Sequence, residues 1–246
     1  MRYFVDMHCH ILPGVDDGAK DPKQTYEMLK MAYDEGIRVI VATPHHHPVR
    51  GMASKAELGR EFRKTKELAR QIDENFHVVP GMEVYFIQEV LDQLENNELK
   101  AIGKSHYLLV EFSPEAEATY IKGSLQQIQM RGYYPILAHV ERYRCMVDNP
   151  ENVDDLVDMG VTIQVNAGSI VGDGGKKIRK FVIGLMEEGL VHIVGTDAHS
   201  TKSRAPKMKK CAMQVEKLFG KDYMWEIFQE NGMRILQDKK IYEGEL

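Results

Sequence analysis

Seven short apolar segments, each followed by a segment with helical periodicity, constrain the fold of this chain more than any other feature. They are rich in Val, Ile and Leu and lie at 3–7, 38–43, 77–80, 107–110, 134–138, 161–165 and 191–195. Short β-branched runs without polar alternation are typical of parallel strands buried on both faces. Strands that alternate with helices indicate βα units. The sequence therefore predicts an α/β fold, a distorted TIM-like (β/α)7 barrel, as a single domain over residues 1–246.

The composition fits one large soluble domain and excludes several classes of function. The chain has 246 residues, of which 43% are hydrophobic and 28% charged. A net charge of −5 without a long basic run argues against capture of nucleic acid or of an anionic membrane. No apolar run is long enough to span a bilayer, and three widely spaced cysteines make no closed disulfide framework. We therefore expect a reduced, cytoplasmic protein with no membrane insertion.

Six of the seven predicted strands end in residue types that bind metal ions. Nine such side chains lie at these ends or in the loop that leaves the first strand: His8, His10, Asp17, His45, Glu83, Glu111, His139, Asp197 and His199. Active sites of βα barrels lie at the carboxyl ends of the strands. Residues two apart on a strand point to the same side, so the first two histidines suit a shared ion. Each residue alone is equally well explained as an ordinary polar group, but together they predict a polynuclear metal centre.

The types of these side chains narrow the choice of metal and reaction. Imidazoles and carboxylates without a thiolate suit Mn, Fe or Zn, whereas Ca and Mg prefer oxygen ligands alone. Nine ligands are too many for one ion and suit two or three ions with a bridging carboxylate. Neighbouring ions about 3.5–4 Å apart generate a bridging hydroxide and clamp an in-line displacement. The pattern therefore favours hydrolysis, most naturally of a phosphate ester.

Two arginines near the same strand ends supply the positive charge that a phosphate needs. Arg142 and Arg204 follow the fifth and seventh predicted strands by a few residues. A guanidinium group can hold two phosphate oxygens at once. For either arginine alone, a solvated loop position is a slightly better explanation, and Arg50 and Arg144 are weaker candidates nearby. We predict that Arg142 and Arg204 are the catalytic and substrate-binding residues.

Two further features near these strand ends have simpler interpretations. His46 and His47 extend the run that begins at His45, but three consecutive imidazoles cannot face one ion, so they are predicted to be loop residues. Residues 168–176 contain four glycines and lack the Lys-Ser/Thr ending of a nucleotide-binding P-loop. We expect a mobile loop at the rim there, with a role that the sequence does not reveal.

The order of these residues resembles the PHP (polymerase and histidinol phosphatase) superfamily of metal-dependent phosphoesterases. The shared landmarks are an opening His-x-His, a following Asp, isolated His and Glu residues at strand ends, and a closing Asp-x-His. Within that superfamily the chain is most similar to the bacterial manganese-dependent protein-tyrosine phosphatases of capsule and exopolysaccharide loci. The matching stretches run through the whole chain, at 6–13, 16–18, 42–46, 80–83, 110–112, 138–142 and 196–199.

The resemblance implies a distorted seven-unit barrel with a centre of three Mn²⁺ ions, with Fe or Zn as alternatives. It assigns the nine side chains to three ions: His8, His10, Glu83 and Asp197 to the first; Glu83, Glu111 and His139 to the second; Asp17, His45 and His199 to the third. Arg142 and Arg204 match the arginines that hold phosphate in that family. One difference is Val140, where close relatives often have proline. This difference should affect the orientation of Arg142 and not the chemistry.

The implied activity is that of a protein-tyrosine phosphatase, in which a metal-bridging hydroxide attacks phosphorus and no phosphoenzyme forms. A phenol leaving group has a pKa of about 10 and needs less help from a general acid than an alkyl alcohol does. The resemblance implies that the substrate is the tyrosine-rich C-terminal tail of a bacterial tyrosine kinase that controls polysaccharide export.

Two alternatives remain open from the sequence. One is a small-molecule phosphomonoesterase, such as a histidinol-phosphate phosphatase, which a deep and closed pocket would favour. The other is a metal-dependent binding module without turnover. A phosphodiesterase or exonuclease is less well supported, because the chain has no basic track for nucleic acid.

Overall fold

The computed structural model describes residues 2–241, which form a mixed α/β fold. The strands are β1 (Phe4–Cys9), β2 (Ile37–Ala42), β3 (His45–His47), β4 (Gly51–Met52), β5 (His77–Pro80), β6 (Glu83–Tyr85), β7 (Tyr107–Glu111), β8 (Tyr134–Leu137), β9 (Thr162–Asn166) and β10 (Ile193–Gly195). The helices are α1 (Pro22–Asp34), α2 (Lys55–Ile72), α3 (Glu89–Glu95), α4 (Ala118–Gln129), α5 (Arg144–Asp148), α6 (Glu151–Asp158), α7 (Ala167–Val171), α8 (Gly175–Glu187), α9 (Lys209–Phe219), α10 (Lys221–Trp225) and α11 (Asn231–Leu236). The domain expected over 1–246 includes Met1 and residues 242–246, which lie outside the described part of the chain.

Two ladders of strands form a curled, mostly parallel sheet. Three strands pair in the order β1-β2-β5, and seven pair in the order β10-β9-β8-β7-β6-β3-β4. The second and third predicted strands match β2 and β5 in the first ladder, and after each of them the chain continues into the second ladder as β3 or β6, which the sequence did not predict as strands. Backbone bonds cross the break between the two ladders, from the Gly81 N–H to the Ala42 carbonyl at 2.9 Å among others. The only antiparallel pair in the described ladders joins β3 to the short strand β4, which the sequence did not predict.

The outer strands β1 and β10 approach each other at their carboxyl ends. Cys9 forms an isolated parallel bridge with Ala198, and the N–H of Asp197 donates to the carbonyl of His8 at 2.7 Å. These bonds lie just beyond β10 and do not extend either ladder. The predicted α/β fold with successive parallel strands is confirmed. The strands form a curled sheet, and the described ladders do not close into a complete barrel.

Both faces of the sheet are buried, as the apolar strand segments predicted. On β7, Leu108 and Val110 pack into the cluster under the surrounding helices, whereas Tyr107 and Leu109 pack into a second cluster on the inner side. Helix α11 covers the end of this inner cluster that lies opposite the strand carboxyl ends, through Ile235. The carboxyl ends are thereby left as the open end of the fold, where a site can form.

Two helices begin at the N-cap residues that the sequence predicted. Asp21 precedes α1, and its side chain accepts a hydrogen bond from the N–H of Gln24 at 2.8 Å, with Pro22 at the first helical position. Ser54 caps α2 in the same way through the N–H of Glu57. Within the described residues, no helix has the length and apolar character needed to cross a membrane.

Three predicted segments differ from the structure. The expected rim loop at 168–176 is largely helical, because α7 occupies Ala167–Val171 and α8 starts at Gly175. His46 and His47 lie on β3, where they pair with β4, and are therefore not loop residues. The last predicted helix is divided into α10, a π-helical turn at Glu226–Glu230, and α11. β3 also pairs with β6, from a later part of the chain, and this contact stabilises a strand that the local sequence does not predict.

Candidate metal centre

The structure brings all nine predicted side chains together at the carboxyl ends of the strands. Eight of them are buried, and Asp17 is exposed at the mouth. Their ligand atoms form four overlapping groups, and within each group all ligand atoms lie within 4.8 Å of one another. The groups are His10, Asp17, His45 and His199; His8, His10 and Asp197; His8, Glu83 and His139; and His45, Glu83 and Glu111. Strands far apart in sequence therefore deliver one continuous cluster of imidazoles and carboxylates.

The two histidines of the first strand point at a common space. The Nε2 atoms of His8 and His10 lie 3.1 Å apart. The Oε2 atom of Glu83 is 3.2 Å from each of them, and Oδ1 of Asp197 is 3.7 and 3.6 Å away. His8 lies on β1 and His10 one residue beyond its end, and their spacing of two residues places two nitrogens opposite two carboxylates.

Glu83 is the carboxylate that the groups share. Its Oε1 lies 2.7 Å from Nε2 of His139, and its Oε2 lies 3.0 Å from Nδ1 of His45. Burial raises the pKa of Glu83, but the charge on His8 and hydrogen bonds from His10 and His139 lower it more, so its pKa falls well below the usual range. Glu83 is therefore ionised and suited to bridge two cations.

His45 lies between two of the groups. Its Nε2 is 3.3 Å from Oδ1 of Asp17, while its Nδ1 is 3.1 Å from Oε1 of Glu111. Burial lowers the pKa of His45, but contacts with Asp17, Glu111 and Glu83 raise it to about 12. His199 completes the outer group, with Nε2 at 3.2 Å from the same Asp17 oxygen. His45 therefore faces carboxylate oxygens with both ring nitrogens, where the inner and outer groups meet.

Several buried ligand atoms at the centre have no hydrogen-bond partner. They are both ring nitrogens of His45, Oε2 of Glu83, Oε1 of Glu111, Nδ1 of His139 and Nε2 of His199. Buried polar atoms without partners are rare because desolvation is costly. All of them except Nδ1 of His139 lie within 3.3 Å of a nitrogen or oxygen of another candidate ligand but lack hydrogen-bond geometry. A mixed set of imidazole and carboxylate atoms in this state fits divalent metal ions such as Mn, Fe or Zn.

Both predicted arginines reach the centre and meet at Asp197. Arg142 donates from Nη2 to Oδ2 of Asp197, and Arg204 donates from Nη2 to Oδ1 at 2.5 Å. Burial raises the pKa of Asp197, but His8 and Arg142 lower it more, so its pKa falls below the usual range. A cavity of about 480 Å³ lies beside the two guanidinium groups. An anion in that cavity would meet both arginines next to the metal-binding side chains.

Two of the nine residues have unusual backbone conformations that the sequence did not signal. His139 has φ 34° and Asp197 has φ 51°, both in the left-handed region that residues other than glycine rarely adopt. Each residue lies two positions after the last residue of a strand, β8 or β10, and turns its side chain into the centre. Such strain is typical of functional sites, where the surrounding contacts maintain it.

Other polar residues at the centre were missed by the sequence analysis. The carboxylate of Asp16 accepts from Nδ1 of His10 at 2.8 Å, and the amide oxygen of Gln164 lies 3.1 Å from Nδ1 of His8. Arg50, which the sequence analysis named as a weaker candidate, also reaches the centre, with Nη1 3.7 Å from Oε2 of Glu111. The only available signals for Asp16 and Gln164 were the neighbouring Asp17 and the position of Gln164 one residue before the end of a predicted strand.

The neighbours of His45 along the chain lie outside the centre. Nε2 of His46 lies 3.0 Å from the side-chain oxygen of Gln93. The ring of His47 packs against Tyr85 with centroids 4.2 Å apart. Only the first of the three consecutive histidines therefore joins the described groups of ligand atoms.

Comparison with known proteins gives a consistent result. Residues 4–237 match the family described as capsular polysaccharide synthesis, CpsB/CapC. The chain is 33% identical over 245 residues to tyrosine-protein phosphatase YwqE of Bacillus subtilis (strain 168), covering 97% of this chain and 93% of that protein. It is 31% identical over 242 residues to tyrosine-protein phosphatase CpsB of Streptococcus pneumoniae, covering 96% of this chain and all of that one.

A solved structure extends this similarity to the fold. It comes from work on YwqE of Bacillus subtilis and CpsB of Streptococcus pneumoniae, described as unique metal-dependent tyrosine phosphatases. It superposes with a TM-score of 0.89 at 33% identity and covers 97% of this chain and 96% of that one. With the match of the family model over nearly the whole length, the chain belongs to the CpsB/CapC family of capsular polysaccharide synthesis proteins.

Proposed function

We propose that this chain is a metal-dependent protein-tyrosine phosphatase that acts in capsular or exopolysaccharide synthesis. The observation that carries the proposal is the joint position of Arg142, Arg204 and Asp197 between a cluster of nine metal-binding side chains and an adjacent cavity. Its relatives of 29–34% identity over nearly the full length are tyrosine-protein phosphatases, one of them named as a putative one. Family membership and site chemistry thus support the same reaction, hydrolysis of a phosphate monoester.

The proposed cofactor is a centre of three Mn²⁺ ions, with Fe or Zn as alternatives. The ligands would be His8, His10, Asp17, His45, Glu83, Glu111, His139, Asp197 and His199. When bound, the ions would supply an activated water molecule and neutralise charge on the phosphate. The buried, partnerless ligand atoms support this assignment, and the central place of Glu83 supports its role as a shared ligand.

Arg142 and Arg204 would bind the phosphate and stabilise charge as the reaction proceeds. Their guanidinium groups contact opposite oxygens of Asp197 and are each more than one third exposed, so both can also reach a bound anion. Asp197 fixes the orientation of the two groups before substrate arrives. Fixed donors aimed at developing charge are a large source of rate enhancement in such reactions.

The cavity favours an aryl phosphate on a protein over a small phosphomonoester. Beside the arginines it is lined by apolar side chains, Ala167, Val171 and Ile178, against which a phenyl ring can pack. It opens to solvent between exposed lysines, Lys207 and Lys210, so a tyrosine that belongs to a chain can enter. The proposed substrate is the tyrosine-rich C-terminal tail of a bacterial tyrosine kinase. Hydrolysis of histidinol phosphate is the second candidate.

Two finer expectations accompany this proposal. A cytoplasmic location is supported by the free state of Cys9, Cys145 and Cys211, which form no disulfide. A distorted seven-stranded barrel is supported by the bridge between Cys9 and Ala198, where the two outer strands meet.

The test is hydrolysis by purified protein that has been depleted of metal and reloaded with Mn²⁺, Fe²⁺ or Zn²⁺. Phosphotyrosine peptides, phosphoserine peptides and histidinol phosphate are compared at equal concentration. We expect release of phosphate mainly from phosphotyrosine, and only after reloading. Equal rates on phosphoserine would contradict the tyrosine assignment, and activity that resists chelation would contradict the metal assignment.

A further inference from the structure

Two side chains outside the predicted ligand set make the same pair of contacts on opposite sides of the centre. Oδ2 of Asp16 lies 2.8 Å from Nδ1 of His10 and accepts the backbone N–H of His45 at 3.0 Å. Oε1 of Gln164 lies 3.1 Å from Nδ1 of His8 and accepts the backbone N–H of His139 at 2.8 Å. Each oxygen therefore joins one histidine of the first strand to a second histidine from another part of the chain.

We propose that Asp16 and Gln164 are positioning residues that hold these four histidines for metal binding. The inference rests on the proposed metal centre and adds two residues that fix the protonated nitrogen and the ring direction of His8 and His10. Histidines that bind metals usually donate their other ring N–H to an oxygen, which sets the tautomer and strengthens the ligand. Neither residue is itself a ligand in this assignment.

The donor and acceptor roles in the Gln164 hydrogen bonds follow from its contact with a backbone N–H group. A peptide N–H only donates, so the atom of Gln164 that faces the N–H of His139 is the amide oxygen. The amide nitrogen is then free to donate to Oδ1 of Asn166 at 2.9 Å. Because the oxygen is an acceptor, His8 must donate to it from Nδ1, and the lone pair of its Nε2 is left facing the centre.

Asn166 extends this chain of hydrogen bonds to a carboxylate ligand. Its Nδ2 donates to Oδ2 of Asp197 at 2.9 Å, and its backbone N–H donates to Oε1 of the buried Glu141. Gln164 thus orients Asn166, and Asn166 orients Asp197. A single glutamine side chain is connected in this way to three of the nine proposed ligands, His8, His139 and Asp197.

The Asp16 carboxylate acts only as a hydrogen-bond acceptor, on the side of the centre opposite Gln164. Its side chain is fully buried, and besides the two histidines it accepts the N–H of Gly18 at 2.9 Å. This last contact closes the turn that carries Asp17 and so places a third proposed ligand. With Nδ1 of His10 donating to Asp16, Nε2 of His10 has its lone pair directed towards His8.

The consequence is a cation-binding arrangement set by the protein before metal arrives. Two Nε2 lone pairs that face each other at 3.1 Å repel unless a proton or a metal ion lies between or beside them. Asp16 and Gln164 prevent either ring from relieving this repulsion by turning over. Loss of either oxygen would let one ring rotate and would weaken metal binding without removing a ligand.

The first experiment compares Mn²⁺ affinity by calorimetry in Asp16→Ala and Gln164→Met, which each remove the accepting oxygen, with wild type. We expect 10- to 100-fold weaker binding in both variants, the usual effect of losing such a support. Gln164→Glu keeps an acceptor for His8 and His139 and loses only the donor to Asn166, so we expect its affinity to stay within a few-fold of wild type. Gln93→Met is the matched control, because Gln93 contacts His46 outside the centre.

A second measurement needs no variant. In the diamagnetic Zn²⁺-loaded protein, ¹⁵N spectra of the histidine rings should show His8 and His10 with a proton on Nδ1 and metal on Nε2. The opposite tautomer in either ring would overturn the inference, as would wild-type affinity in Asp16→Ala and Gln164→Met. Failure of wild type to bind any metal would instead overturn the proposed function, so the two failures are distinguishable.

Discussion

The Oε1 atom of Glu83 lies 2.7 Å from Nε2 of His139, and this contact joins β6 to the end of β8 across the intervening strand β7. The other oxygen of the same carboxylate faces His8, His10 and His45. One side chain therefore connects four histidines that arise from three different regions of the sequence. Glu83 is therefore the carboxylate that contacts four of the five candidate histidine ligands.

Replacement of Glu83 by Gln is expected to abolish metal binding and activity together. The amide has nearly the same volume, but it carries no charge and cannot balance the positive charge of bound metal ions. We expect kcat/KM to fall by more than about 100-fold, beyond the loss from residues that only support ligands. Metal content by mass spectrometry and hydrolysis of para-nitrophenyl phosphate measure the effect. Glu115→Gln, at an exposed pair with Arg144, is the control, and it should retain both.

Replacement of Arg142 or Arg204 by Lys is expected to lower activity while metal binding persists. Lysine keeps the charge but loses the planar group that can hold Asp197 and a phosphate together. One lost charge-assisted hydrogen bond is worth about 1.5–3 kcal/mol, or roughly 10- to 100-fold in kcat/KM. Steady-state kinetics on a phosphotyrosine peptide tests this, with Arg144→Lys as a solvent-exposed control. Undiminished kcat/KM in both site variants would remove the arginines from the mechanism.

Gly195 allows β10 to approach β1 next to the centre, so Gly195→Ala is expected to destabilise the protein. A Cβ atom at this position would lie 2.5 Å from Cβ of His8 and 3.2 Å from its backbone nitrogen. Overpacking of this kind costs about 1–3 kcal/mol of unfolding free energy, measurable by urea denaturation. At Gly184 in α8 a Cβ meets nothing within 4 Å, so Gly184→Ala should stabilise by up to about 1 kcal/mol. Equal stability of the two variants would contradict this account.

His192 is expected to make the fold sensitive to mild acid. Burial lowers its pKa to about 4, and its Nδ1 accepts the N–H of Ile163 at 2.8 Å, which requires an unprotonated nitrogen there. Because the folded pKa lies below the ordinary value of 6.5, the stabilisation is complete above pH 6.5. It is lost as pH falls from 6.5 towards 4, and amounts to about 3 kcal/mol at most.

The check on His192 is a comparison of pH profiles. His192→Asn keeps an acceptor near the position of Nδ1 but does not titrate, so its unfolding free energy should fall less between pH 7.5 and 4.5 than that of wild type. Chemical denaturation at several pH values gives both curves. Parallel curves would show that His192 does not contribute to acid sensitivity.

The sequence by itself determined the features that depend on neighbouring residues. Alternating apolar and amphipathic segments define βα units because burial of strand and helix faces repeats with fixed periods. The caps at Asp21 and Ser54 are correct because they satisfy N–H groups only three residues away. Parallel strands place their carboxyl ends at one edge, so the convergence of the nine candidate ligands was also predictable.

Only the tertiary structure decided what depends on contacts between distant segments. The continuation of the chain into β3 and β6 in a second ladder, the left-handed backbone at His139 and Asp197, and the helical form of the glycine-rich segment all lack a local signal. Asp16 and Gln164 gained their places because strand register brings them to His45 and His139, which lie 29 and 25 residues away. Residue type and spacing select the atoms that can bind a metal, but only the packed chain fixes their directions and their hydrogen-bond partners.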